Sequence, residues 1–563
     1  MRYAVAIVLI VVMSPFSGIV SGEYERDRIE NSESSSIMES YSIPVQLAFD
    51  RAEDISRYSQ DEILSTKEWL VVTGIPLNEH TKSLSNPISS FETKVLPGSY
   101  IWEMEDGGKA IESLTKAMEI GEIESFSPVI KMEHTKKFYP NDPEFGSQWH
   151  LENSGQTGGL SGEDANLTGA WDSYNGSGVV ISIVDDGLDI SHPDIAPNYD
   201  QSASYDWCND DSDPTPLSFD GHGTAAAGVA GATGNNSIYV SGAAFGASLA
   251  GSTLIACSIN DFDESQALSY ENDYIDIYSN SWGPSDTGRI LDGPGPLMTA
   301  AFENDVFQGR DGLGNIITWA AGNGLTNDDD SNYDGYANSR YTIAVTAITH
   351  LGEQSYYAEP GANILVAAHS NGDGEAITTT DIVGSGGYNS SGNVTDTFGG
   401  TSSATPLVSG VIALMLEANQ NLTWRDVQHI LVNTARVNDP SDSSWEINGA
   451  GHDVSHKYGF GAVDASAAVA MSSNWTTVED EVNVSIGPMN SNFDLGDGLS
   501  GWDDFNITVT DDLAIESVDV VVDISHDYRG ELEIVLVSPS GKESWLAEER
   551  SDSGDDYDNW TFN

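Results

Sequence analysis

Three residues able to form an activated nucleophile stand far apart in the chain: Asp185 in ISIVDDGLDISHPD, His222 in GHGTAAAGVAG and Ser402 in GGTSSATPLVSGVIALMLEAN. A serine hydroxyl attacks a carbonyl only when a base takes its proton, and histidine is the side chain whose ordinary pKa suits that task. An aspartate can then hold the imidazole tautomer and stabilise the imidazolium that forms. Asn323 in WAAGNG is a fourth candidate. Its side-chain amide could donate to a developing oxyanion alongside the Ser402 backbone N–H, although an Asn-Gly pair by itself also reads as a turn. Any one segment alone would be weak evidence; the three together, in this order, are not. Of the 11 histidines, only His222 has such a setting.

Positioning these groups requires elements that end at them. The β-branched run from Val179 to Val184 predicts a buried parallel strand terminating in a carboxylate. His222 and Ser402 each follow glycines and open a small-residue, apolar stretch that predicts a buried helix. All three side chains therefore fall at element ends, where a site can form.

Longer stretches repeat the same message: NDPEFGSQWHL, the doubled Asp185-Asp186, NSWGPSD, DGLGNIITWAAGNG, DGYANSRYTIAV, NLTWRDVQHILVNTAR and VSHKYGFGAVDA. From about Asn141 onward the chain resembles subtilisin-fold serine proteases of the kexin/furin branch, the proprotein convertases. The resemblance implies an α/β subtilisin-like catalytic domain with a parallel sheet, a small α/β prodomain and a C-terminal β-sandwich P domain. It further implies a secreted, calcium-dependent serine endopeptidase that cleaves polypeptides after paired basic residues. Such an enzyme is made as a zymogen, processes itself and is inhibited by its own prodomain. Residue by residue, it places Ca2+ at Asp142 and Asp194 with oxygens near Asn236; at Asp206, Asp211 and Asp213; and at Asp286, Asp329 and Glu359. The P1 pocket would be lined by Asp286 and Asp334 with Ala320 at its wall, Asp186 would face P2, and Glu264, Asp292 and Tyr336 would lie near P4. Phe219 departs from the family, where an acidic residue usually assists at P2. A broad-specificity subtilisin and a non-catalytic secreted binding module are the rival readings.

Composition supplies the rest. With 22 basic and 88 acidic side chains the formal charge is −66, which argues against nucleic acid or an anionic membrane as partner and favours cations, including basic peptides. Read without the resemblance, the acidic clusters are either solvated runs or oxygen ligands for hard cations. Arg2, the apolar run Tyr3 to Met13 and a small-residue boundary near Gly22 read as a secretory signal peptide over 1–22. No other segment approaches the roughly 20 apolar residues of a membrane span. A prodomain with a disordered, Ser/Glu-rich start is expected over 23–137, a catalytic domain over 138–475 and a partial P domain over 476–563. The last rests on period-two alternation at Val518, Val520, Val522 and Ile524 and again at Leu532, Ile534 and Leu536, and on a chain that stops short of that domain's usual extent. Lys136-Lys137 at the prodomain border reads as a solvated basic pair or, given the resemblance, as the self-cleavage site. Cys208 and Cys257 are the only cysteines. Their pairing is open at this stage, and the expectation is a fold stabilised by its core and bound ions.

Overall fold

The computed structural model describes residues 3–11, scattered positions between 37 and 58, and 60–73, 87–130, 138–488, 502–510 and 513–563. Lys136 and Lys137 lie outside the described residues. The chain forms two compact units, one of residues 16–136 and one of residues 1–15 with 137–563.

In the smaller unit, strands Ser89–Glu92, Ser99–Glu103, Glu68–Val72 and Ser125–Pro128 make an antiparallel sheet in that spatial order. Helix Gly107–Glu119 begins at Asp106, whose carboxylate accepts the Lys109 N–H, and buries Ala110, Leu114 and Ala117. These face a core that includes Trp69 and Trp102.

The larger unit is built on a seven-stranded sheet: β1 (Val180–Asp185), β2 (Tyr205–Asp206), β3 (Ser248–Thr253), β4 (Ile277–Asn280), β5 (Ile316–Ala320), β6 (Thr342–Ile348) and β7 (Ile364–His369). The spatial order is β7-β6-β5-β4-β1-β3-β2, and every neighbouring pair is parallel. The strands β1, β4, β5 and β6 are buried along their whole length, as strands covered on both faces must be. The chain starts in the middle, at β1, builds outward to β2 and β3, then returns to β4 on the other side. The carboxyl end of β1, occupied by Asp185, is thus a topological switch point, where sheets of this kind leave a crevice.

Two buried helices matter most. Helix α1 (His222–Gly231) and helix α2 (Thr401–Ala418) pack on each other and on the sheet. Helix α2 is long and apolar enough to cross a membrane by composition, yet 83% of that stretch is buried within the protein, so it is a core helix. Glycines let α1 approach closely. A Cβ on Gly228 would lie 2.1 Å from Thr380 Oγ1, and one on Gly223 would lie 2.3 Å from the Gly187 carbonyl.

The C-terminal part carries strands Trp502–Val509, Val520–Ile524, Leu532–Val537, Glu543–Ala547 and Tyr557–Phe562 around its own core of Leu532, Ile534, Leu546 and Phe562. Residues Tyr3–Val11, the apolar run of the expected signal peptide, form a strand parallel to and between Trp502–Val509 and Leu532–Val537. A short uncharged run rich in Val and Ile satisfies two strand edges as readily as it forms an apolar helix. One sequence expectation is corrected: the fold does use a disulfide. Cys208 and Cys257 are bonded, with Cα atoms 5.7 Å apart. Closing 49 residues of chain contributes about 4 kcal/mol in the chain-entropy account.

Candidate active site

Strand β1 ends at Asp185, which is buried, and α1 begins at His222 beside it. The His222 Nδ1 lies 2.9 Å from both carboxylate oxygens of Asp185. Asp185 is itself oriented by the Asp186 N–H at 2.7 Å. The Asp186 carboxylate in turn accepts the backbone N–H groups of His222 (3.1 Å) and Gly223 (2.7 Å), so it caps α1 while standing next to the imidazole. Burial, reinforced by the charge of Asp185, raises Asp186 to about 7. Burial opposes charge on His222, but the charge and hydrogen bond of Asp185, with the charge of Asp186, lift it to about 9. The ring edge of His222 meets Phe398 at a centroid distance of 5.4 Å.

Ser402 is the second residue of α2, preceded by Gly400 at φ +75°, a turn that a side chain would disfavour. Its N–H belongs to the first turn, where helix donors lack intrahelical partners. Its carbonyl is freed as well, because Pro406 four residues on has no N–H to offer. The Ser281 hydroxyl fills that gap at 3.1 Å, and the Ser402 hydroxyl donates to the Ser281 carbonyl at 3.3 Å. Among the described residues no hydrogen bond joins Ser402 to His222; the hydroxyl must rotate away from Ser281 to engage its base. Ser281 lies in the NSWGPSD stretch, whose value as a landmark was legible but whose role as a rest for the nucleophile was not.

Asn323 follows β5. Its Oδ1 accepts from the Thr401 N–H (2.8 Å) and hydroxyl (3.1 Å), which docks it on the start of α2. The amide Nδ2 is left with a long 3.4 Å contact to Asp286. Two donors, Asn323 Nδ2 and Ser402 N–H, are thereby held by one helix end.

Carboxylates surround this centre. Asp334 is raised to about 8, by burial first and then by the charges of Asp286 and Asp329, which places these three acids within electrostatic reach of one another. A Cβ on Gly283 would lie 2.6 Å from the Asp334 carboxylate, so that glycine leaves it room. Ala320 is the buried last residue of β5. The Tyr336 hydroxyl donates to Glu264 at 2.9 Å, and the charge of Asp292 acts on both. Phe219 is 77% exposed.

The three sets of acids expected to hold a cation differ. Asp286, Asp329 and Glu359 crowd around Gly324, whose Cβ would lie within 3.1 Å of atoms of all three. Burial, then mutual repulsion, pushes Glu359 well above the usual carboxylate range. Asn236 bridges Asp142 and Asp194, its backbone N–H donating to the first at 3.0 Å and its side-chain amide to the second at 2.9 Å. Both sets are oxygen donors of the kind a hard cation takes. In the third set, Asp206 and Asp211 are paired through their backbones, the Asp206 N–H donating to the Asp211 carbonyl at 2.7 Å and the Asp211 N–H to the Asp206 carbonyl at 3.2 Å, while their carboxylates bond locally. Asp206 is buried and occupied by Cys208 and Asn209, while exposed Asp211 and Asp213 each cap their own turn. As the side chains stand, no group of three or more His, Cys, Asp or Glu among the described residues closes on a metal-sized point.

A serine at a helix start, a paired histidine and aspartate at the switch point of a parallel sheet, and two N–H donors beside the serine are the groups that a nucleophilic hydrolase site uses. The chain belongs to the subtilase family, whose description matches residues 176–461, and the proprotein convertase P-domain matches residues 515–563. Among its relatives, proprotein convertase subtilisin/kexin type 6 of Rattus norvegicus is 39% identical over 455 residues, covering 77% of this chain and 47% of that protein. Furin of Homo sapiens is 38% identical over 439 residues, covering 75% and 53%. The chain thus spans about half the length of the curated relatives it matches. The solved serine protease of Aeromonas sobria superposes with a TM-score of 0.62 at 26% identity, over 75% of this chain and 83% of that one.

Proposed function

We propose that this protein is a secreted, calcium-dependent serine endopeptidase that cleaves polypeptides after paired basic residues and matures itself from a zymogen. The observation that carries the reading is the pairing of His222 with Asp185 beside a nucleophile helix whose first turn also anchors Asn323, all next to the carboxylates of Asp286 and Asp334. In the reaction, the Ser402 hydroxyl leaves the Ser281 carbonyl, gives its proton to His222 Nε2 and attacks the scissile carbonyl. Asp185 holds Nδ1 and stabilises the imidazolium. Charge developing on the carbonyl oxygen is met by Asn323 Nδ2 and the Ser402 N–H, donors already in place, so little reorganisation is needed. His222 returns the proton to the leaving amine, and a water molecule activated by the same base releases the acyl group. Asp286 and Asp334 supply the partners that a desolvated P1 lysine or arginine requires, with Asp186 facing P2 and Glu264, Asp292 and Tyr336 near P4.

Asp142 with Asp194, and Asp286 with Asp329 and Glu359, would hold Ca2+, whose charge would offset carboxylates crowded in the folded state. An ion bound only by the folded chain adds stability by mass action. Excess chelator is therefore expected to lower the melting temperature and the activity together, and an unchanged melting curve would count against calcium. The 23–137 segment is assigned as an inhibitory prodomain removed after Lys137. Purified protein is expected to begin at Phe138, whereas Ser402→Ala should persist as the uncleaved precursor and resist labelling by a serine-directed phosphonate. Processing of the Ser402→Ala form at Lys137, in preparations free of other proteases, would contradict self-cleavage.

A further inference from the structure

The short turn that carries Asp334 is built into the C-terminal β domain. Tyr333, one residue earlier, is 3% exposed and is a member of the hydrophobic core formed by Val522, Leu532, Ile534, Tyr557 and Phe562. Its hydroxyl exchanges hydrogen bonds with Glu548, accepting from the backbone N–H at 2.8 Å and donating to the carbonyl at 3.3 Å. The Arg550 guanidinium lies 3.3 Å from the centre of the Tyr333 ring. Arg550 is itself fixed by Asp552 at 3.0 Å and by the Tyr557 hydroxyl at 3.3 Å. Neighbours on both sides of Asp334 are held too. Asn332 donates to the Trp545 carbonyl at 3.0 Å and its own carbonyl accepts from the Trp560 indole at 3.3 Å, while Asn338 donates to the Thr561 carbonyl at 2.7 Å. The Asp334 side chain, by contrast, is held only from its own turn, accepting from Tyr336 N–H at 2.8 Å and Ala337 N–H at 3.4 Å.

An acid held only by N–H groups of its own turn has its position set by its backbone. That backbone is paired with Asp292, whose N–H donates to the Tyr333 carbonyl at 3.3 Å and whose carbonyl accepts from Gly335 N–H at 2.9 Å, and it is pinned through Tyr333, Asn332 and Asn338 from the C-terminal domain. We propose that Arg550, stacked on Tyr333, is a positioning residue for Asp334 and thereby sets the preference for a basic P1 side chain. The C-terminal domain on this account contributes to specificity through one stacked cation. The cation–π contact is desolvated, the condition under which such contacts are strongest. A displacement of about 1 Å at a charge-recognition group can cost on the order of a hundredfold in rate. The inference rests on the reading of Asp334 as the P1 carboxylate.

The test uses the mature full-length enzyme and two peptides differing only in P1, arginine or leucine. Asp334→Asn is expected to lower kcat/KM for the P1-Arg peptide by roughly 30-fold, the loss of one partner of a buried charge pair. Arg550→Met is expected to cut the P1-Arg over P1-Leu discrimination by about tenfold, mainly through KM, a misplacement effect. Labelling by an uncharged serine-directed phosphonate should stay within about twofold, since the nucleophile and its base are untouched. Arg550→Met should add nothing further in the Asp334→Asn background, as expected of two changes on one route. Arg550→Lys keeps the charge opposite Asp552 but loses the planar stack, and about a threefold loss of discrimination is expected from it. If Arg550→Met does not fold, that variant decides. Undiminished discrimination in the Arg550 variants, or a loss shared equally by phosphonate labelling, would overturn the positioning role while leaving the P1 reading intact. An Asp334→Asn enzyme that still prefers P1-Arg would sink both.

Discussion

Asp186 does two things at once: it caps α1 through the N–H groups of His222 and Gly223, and its charge helps raise the His222 imidazole to about 9. The base must be neutral to accept the Ser402 proton, so kcat/KM should climb as pH rises toward that value. Replacing the carboxylate in Asp186→Asn removes one of the charges that favour the imidazolium. The acidic limb of the kcat/KM profile is therefore expected to move to lower pH, with the amide oxygen still able to cap the helix. A limb that stays in place would show that Asp185 alone sets the base. At this scale the motifs marked His222, Asp185, Ser402 and Asn323 as candidates because each is punctuated by glycines and lies at or just past the end of a strand or the start of a helix. Ser281 and Thr401, which hold the nucleophile and the amide, were not legible as such, since a Ser or Thr hydroxyl bonded to a backbone atom leaves no pattern in sequence.

Elements bring these residues together only because their small side chains allow it. Helix α1 reads HGTAAAGVAG, and nine of its ten residues are buried. A methyl group on Gly228 would meet Thr379 Oγ1 at 2.3 Å and the Thr380 backbone N at 2.8 Å, atoms of a strand that cannot give way. Gly228→Ala should thus lever α1 off strand Ile377–Thr380 and carry His222 away from Asp185. Overpacking of this kind typically costs about 1–3 kcal/mol, to be read by denaturant unfolding, and activity should fall more than stability alone accounts for. Wild-type stability in Gly228→Ala would mean that the strand yields. Strand β1 was legible in its β-branched run and α2 in its apolar stretch. The strand Tyr3–Val11 was not, because an uncharged run of nine residues is compatible with either a helix or a strand.

For the whole molecule, the charge of −66 says how it is solvated but not where acid will break it. That is decided inside. Trp149 is edged by the rings of His150, His350 and His369, with centroids 5.7 to 6.3 Å away. His150 is fully buried, and neither ring nitrogen has a hydrogen-bond partner. Burial first, and the proximity of His369 second, depress its pKa to about 3. The sequence singled out none of these histidines, since burial without partners is a property of the packed core. A histidine kept neutral in the fold takes up a proton more readily once unfolded, so its contribution to stability is complete above about pH 6.5 and is lost as pH falls toward 3. Glu163 acts in the same sense at lower pH. It is held near 2, against the pull of burial, by hydrogen bonds from His369 and Arg436, and its contribution fades as pH falls through the carboxylate range. His150→Leu keeps a similar volume and removes the titrating group. Its unfolding free energy should decline less steeply than that of the wild type between pH 6.5 and 4, by up to about 3 kcal/mol at the lower end, from about 1.4 kcal/mol per unit. Parallel curves for the two proteins in denaturant unfolding across that range would mean that His150 acquires a proton within the folded core, and that the acid sensitivity of the molecule lies with its carboxylates instead.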